Sequence, residues 1–122
     1  MTRTTGSRVR RWGADAQITA VIRQEAAAGR SVHVVPAGDD KAETLQLFAE
    51  VLRFPAYFGH NLDALADSLG DYAARQRDSW TLVWDGTRFL RAADPATFDA
   101  IVAVLDDVAA DHPQMHAAIV ER

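Results

Sequence analysis

The chain has no cysteine. That removes a disulfide framework, a thiolate metal site and a cysteine nucleophile together, and it leaves the redox compartment unread. A continuous apolar stretch of the length a signal peptide or a membrane span requires is missing too: Met1 to Trp12 is rich in Arg and Thr and then gives way to mixed sequence. The expectation is a soluble cytoplasmic protein with no membrane partner. There is no internal repeat, no low-complexity tract and no linker able to divide the 122 residues. A chain of this length buries roughly two-thirds of its unfolded surface as one domain and needs no staple.

What is there, first, is charge of uneven placement. The net charge is −4, but residues 1 to 30 carry six Arg (3, 8, 10, 11, 23 and 30) against Asp15 and Glu25, a local balance of +4. The remaining residues therefore carry −8. An acidic body points away from nucleic acid and toward a cationic partner, although such bias also serves solubility. The cluster Arg8-Val-Arg-Arg11 could touch RNA, but short basic termini are usually solvated, and the acidic body opposes such binding. Residues 1–13 are accordingly expected to form a flexible basic tail, and residues 14–122 a single domain.

Periodicity supplies the elements. Ile18, Val21, Ile22 and Ala26 recur at helical spacing between Asp15 and Ala28, with Gly29 as a stop, which predicts an additional N-terminal helix within residues 14–30. Ser31 to Val35 reads as a strand closed by Pro36-Ala37-Gly38. Asp39 or Asp40 can cap a helix carrying Leu45, Phe48 and Leu52, which ends before Pro55. A further helix runs from Asn61, a plausible cap, to about Tyr72. Trp80 to Trp84 predicts a second strand, with Trp80, Leu82 and Trp84 on one face as core rather than as a platform for bases. Asp94 and Pro95 open a helix through Phe98, Ile101, Leu105 and Val108, and Ala117 to Val120 makes a third strand. Strands separated by helices imply parallel crossovers, so the expected fold is α/β: a small three-stranded parallel sheet with packed helices.

The helix from Asn61 is the most informative. At about 100° per residue, Leu62, Leu65, Leu69 and Tyr72 share one side, and Asp63, Asp67 and Asp71 form a row about opposite. Like charges at i, i+4 repel by a few tenths of a kcal/mol per pair, and no Lys or Arg between Pro55 and Ala74 relieves them. Asp63 gains from the helix dipole, whereas Asp71 near the C-terminal end does not. A helix selected for stability alone would mix the signs. The row nonetheless also fits a merely solvated face. It fits a cation site as well, as in a metal-assisted hydrolase using Asp63 and Asp67, but magnesium or calcium wants further oxygen ligands that the sequence does not identify.

Histidine adds little. His60, three residues before Asp63, could form a His-Asp couple for general base catalysis, but no nucleophile is placed beside it, and a polar loop residue near a helix cap accounts for it as well. His33, His112 and His116 show no metal spacing.

The segment Phe54-Pro-Ala-Tyr-Phe-Gly-His-Asn-Leu-Asp-Ala-Leu-Ala-Asp-Ser-Leu-Gly-Asp-Tyr72 resembles, without gaps, the hallmark of the barstar family, Pro-x-Tyr-Tyr-Gly-x-Asn-Leu-Asp-Ala-Leu-x-Asp. Around it the resemblance extends over roughly Ser31 to Val120. It implies a non-catalytic intracellular inhibitor that forms a one-to-one complex with a secreted, guanyl-preferring ribonuclease, is monomeric when free and needs no cofactor; an immunity protein against another toxin is the alternative. It further implies that Tyr57 is the loop aromatic packing on the enzyme, Asp63 a carboxylate contacting basic groups, Asp67 the carboxylate inserted into the active site, and Asp107 the counterpart of an acidic residue on the last helix. The implied contact face is Tyr57, Phe58, Gly59, His60, Asn61, Asp63, Ala66, Asp67 and Asp107. Ala66 departs from the family, which places Trp there.

Overall fold

The structure, a computed structural model, describes residues 8–56 and 58–122. Its elements are β1 (Val9–Trp12), α1 (Ile18–Ala27), β2 (Ser31–Pro36), α2 (Lys41–Leu52), α3 (Leu62–Arg75), β3 (Trp80–Asp85), α4 (Arg88–Ala93), α5 (Pro95–Asp111) and β4 (Met115–Val120). The strands form one parallel sheet in the order β1-β4-β3-β2. The parallel α/β arrangement is as expected, but the sheet has four strands rather than three.

The fourth strand comes from the stretch expected to be a flexible tail. Arginine content suggested solvation; the alternation within β1 decides otherwise. Val9 is buried among the core residues of one sheet face, and β1 lies in register with β4, Val9 opposite Ala117 and Trp12 opposite Val120. Two of the arginines here are bonded. Arg8 donates from Nε to the Met115 carbonyl (2.9 Å) and from Nη2 to the Ala109 carbonyl, while Arg11 donates from Nε and Nη2 to the two carboxylate oxygens of Glu121 (2.7 and 3.0 Å). The rest of the expected tail, residues 1–7, lies outside the described residues.

β3 is buried along Trp80 to Trp84, as a central parallel strand covered on both faces must be. Trp80, Leu82 and Trp84 join Val35, Met115, Ala117 and Ile119 on the face packed by α2, α3 and α5, where Trp84 stacks on Phe98 at 5.5 Å between ring centroids. The opposite face, with Val83, Ala118 and Val120, is covered by α1 through Val21 and Ile18. A polar contact fastens α1 there: the buried Glu25 accepts from Thr81 Oγ1 (2.7 Å) and Arg30 Nε (2.9 Å) at its Oε1. The additional N-terminal helix is therefore a covering layer for the second face. It starts later than expected, at Ile18, because the chain first turns through residues 13–16, the Ala16 amide donating to the Gly13 carbonyl (3.1 Å), and Gly29 follows its end at φ 84°.

Candidate functional site

Local chemistry fixes the segment between α2 and α3. α2 starts at Asp40, whose Oδ1 accepts from the Glu43 amide (2.8 Å), and it ends where Arg53 takes a left-handed conformation at φ 55°. The chain then turns, with the Phe58 amide donating to the Pro55 carbonyl (2.9 Å). Asn61 caps α3 as expected, its Oδ1 accepting from the Ala64 amide at 2.8 Å. On the inner side of α3, Leu65, Leu69 and Ala73 are buried, and the helix packs against α5 and α2. Its far end is tied down through Tyr72, whose hydroxyl lies 2.5 Å from His33 Nδ1 on β2 and whose ring meets Trp80 at 5.3 Å. α3 runs to Arg75, three residues beyond the expected end, because this end continues to pack on the core through Ala73.

With the inner side so anchored, Asp63, Asp67 and Asp71 are exposed. Among the described residues none of the three carboxylates takes an ion pair or side-chain hydrogen bond; the chain's arginines pair instead with Glu121, Glu25 and Asp85. Asp67 and Asp71 border a shallow groove with Pro55, Ser68 and Arg75. Ala66 is half-buried and leaves this surface without a large side chain. Asp107 is exposed on α5, the helix that packs directly on α3.

The loop residues divide. Gly59, His60 and Asn61 are exposed. Phe58, expected at the contact face, is instead only 6% exposed and belongs to the core, its ring 5.1 Å from Phe54 and 4.8 Å from His60. An aromatic ring bordered by other rings and the α2–α3 packing gains more from burial than from exposure, so Phe58 supports the loop from beneath. Tyr57 lies outside the described residues.

His60 does not form the couple with Asp63 that its spacing allowed. It adopts φ 51°, and its Nε2 lies 2.6 Å from Gln46 Oε1, while Gln46 Nε2 donates to Glu50 Oε2 at 2.8 Å. Because the Gln46 amide gives its N–H to Glu50, its carbonyl must accept from His60, which places the imidazole proton on Nε2. This brace from α2 to the loop escaped the sequence, since nothing in residues fourteen positions apart signals a contact. No group of three or more His, Asp or Glu side chains converges as a metal site among the described residues, so the Asp63–Asp67 pair stands without the further ligands a cation would want.

What the arrangement offers chemically is a water-facing set of carboxylates without ion pairs among the described residues, on a capped helix beside a braced loop. A cationic surface with inward-facing donors is its complement. Residues 33–120, from within β2 to the end of β4 and including this whole site, match the family described as Barstar (barnase inhibitor), whereas β1 and α1 precede the match. No curated protein matches the chain. With well over half of its length matched, and the site carried within that match, the chain belongs to the barstar family.

Proposed function

We propose that this protein is an intracellular inhibitor of a secreted, guanyl-preferring ribonuclease, closing the enzyme's active site in a reversible one-to-one complex. The observation that carries the reading is the state of Asp63 and Asp67: exposed on a capped helix whose other side is buried, with no cation bonded to them among the described residues. A ribonuclease holds its scissile phosphate with cationic and imidazole groups, and a carboxylate set in that position accepts the same charge-assisted hydrogen bonds. Aspartate on a helix suits the task because it has few torsions left to freeze on docking. The contact face is Tyr57, Gly59, His60 and Asn61 in the loop, Asp63, Ala66 and Asp67 on α3, and Asp107 on α5, with Phe58 as its internal support.

Inhibition constants of single variants against such a ribonuclease test this. Asp67→Ala should weaken inhibition by about a hundredfold, the scale of two hydrogen bonds to charged groups. Asp71→Ala, one turn farther along and nearer Arg75, should change it by no more than about threefold, as exposed charges at an interface rim do. Equal, small losses at the two positions would remove Asp67 as the anchor.

A further inference from the structure

At the carboxyl ends of the strands, away from the acidic face, β1 and β4 end side by side, and their surroundings diverge. The chain leaving β1 passes to α1 on one face of the sheet, whereas the chain leaving β3 passes through α4 and α5 on the other. Open parallel sheets bind ligands in the crevice that such a divergence creates. Here the crevice is an open cleft of about 520 Å³ lined by Arg11, Gly13, Ala14, Arg88, Arg91 and Glu121.

Its lining is cationic and organised. Glu121, with its side chain 10% exposed, holds Arg11 by two bonds and Arg91 by one, from Nη1 at 2.6 Å. Both guanidinium groups also lie over the Phe98 ring, at 5.3 and 5.7 Å from its centroid. Glu121 and Phe98 thus fix two forks in place before any ligand arrives, while Arg91 Nε and Nη2 remain without partners among the described residues. The Arg88 side chain, one helical turn before Arg91, forms no hydrogen bond or ion pair among the described residues. Among the lining residues three guanidinium groups face one carboxylate, a surplus of two positive charges that Asp99, near Arg11, partly offsets, on a protein whose net charge is −4.

We propose that this cleft binds a phosphate-bearing small ligand. A phosphate monoester carries about −1.5 to −2 charges and three acceptor oxygens, matching both the surplus and the free donors. Gly13 and Ala14 leave the approach clear of large side chains. The cleft shares no lining residue with the acidic face, and Asp107 lies about 18 Å along α5 from Pro95 by helical rise.

Titration of the full-length protein by ¹H–¹⁵N NMR tests the proposal, with inorganic phosphate and adenosine 5′-monophosphate as separate probes. Saturable shifts at the Gly13, Ala14, Arg88 and Glu121 amides are expected at millimolar concentrations or below. Equal affinity for the two probes would assign the site to free phosphate, and tighter mononucleotide binding would assign it to a nucleotide. Arg88→Ala, which breaks no bond in the fold, should weaken binding about tenfold, and Arg88→Glu more. Absence of saturable shifts with both probes, or affinity unchanged in Arg88→Ala, would overturn the site.

Discussion

His33 stands on β2 beneath the end of α3, with its ring 5.0 Å from Trp80 and its Nδ1 against the Tyr72 hydroxyl. Burial disfavours its charged form and holds its pKa below the ordinary 6.5. His116, on the opposite face, is lowered likewise by burial and then by Arg30 and Arg8, against the opposing pull of Glu25. In the unfolded chain both imidazoles recover their ordinary affinity for protons, so the unfolded state binds more protons just below pH 6.5. Their contribution to stability is complete above that value and is lost as pH falls toward the folded-state pKa values. Glu25 follows with the same sign at lower pH: burial opposes its charge, Thr81 and Arg30 more than offset that, and its pKa lies below 4.5. Urea midpoints measured from pH 8 to 3 should therefore fall in two stages, the first beginning near pH 6.5 and the second below pH 4.5. His33→Gln with His116→Gln should flatten the first stage and leave the second. A first stage of undiminished slope in the double variant would assign it to other groups.

At the scale of elements, what could be read in the sequence is what is written in local signals. Asp40, Asn61 and Asp94 cap α2, α3 and α5 through their own side chains, and Pro95 opens α5, so those starts were legible from one or two residues. The acidic side of α3 was legible because Leu65 and Leu69 fix which side is inward. α4 was not: it has six residues, no side-chain cap at Thr87 and only Leu90 buried, too little to register as a period. The burial of Phe58 was not legible because motif likeness gives the position of an aromatic residue, not the direction in which its ring points. β1 was lost for a different reason. Arg11 on it and Arg8 just before it are held by carbonyls and a carboxylate more than a hundred residues away, contacts that no local pattern announces. The measurable consequence is that β1 belongs to the stability of the fold. Deleting residues 1–12 removes the burial of Val9, uncovers the outer edge of β4 and takes the Arg8 guanidinium away from the Met115 and Ala109 carbonyls. The loss should be about 3 kcal/mol or more, from one buried valine and several hydrogen bonds, read as a lower urea midpoint. An unchanged midpoint would mean that β1 does not dock in solution.

At the scale of the whole molecule, folding sorts the charge that the sequence left in two unequal blocks. Arg11, Arg88, Arg91 and Arg122 gather at the carboxyl ends of the strands, three of them with Glu121 or Asp85 as partners, while the carboxylates of α3 and the exposed Asp107 and Asp111 of α5 stand without ion-pair partners among the described residues. The arginine-lined cleft and the acidic side of α3 consequently present opposite charge to an approaching protein. A cationic ribonuclease is drawn toward the α3 side and turned from the arginine side, which narrows the orientations it samples before contact. Attraction between exposed charges over that range is screened by salt, since the Debye length shrinks from about 30 Å at 0.01 M to about 8 Å at 0.15 M. Bonds formed inside the closed interface are screened far less. Salt should therefore act on the association rate and only weakly on dissociation. Stopped-flow mixing with the ribonuclease across that range should show association slowing on the order of tenfold, with the dissociation rate changing much less. If association were indifferent to salt, the open row on α3 would not be what the enzyme meets first, and the assignment of that side as the inhibitory face would fail with it.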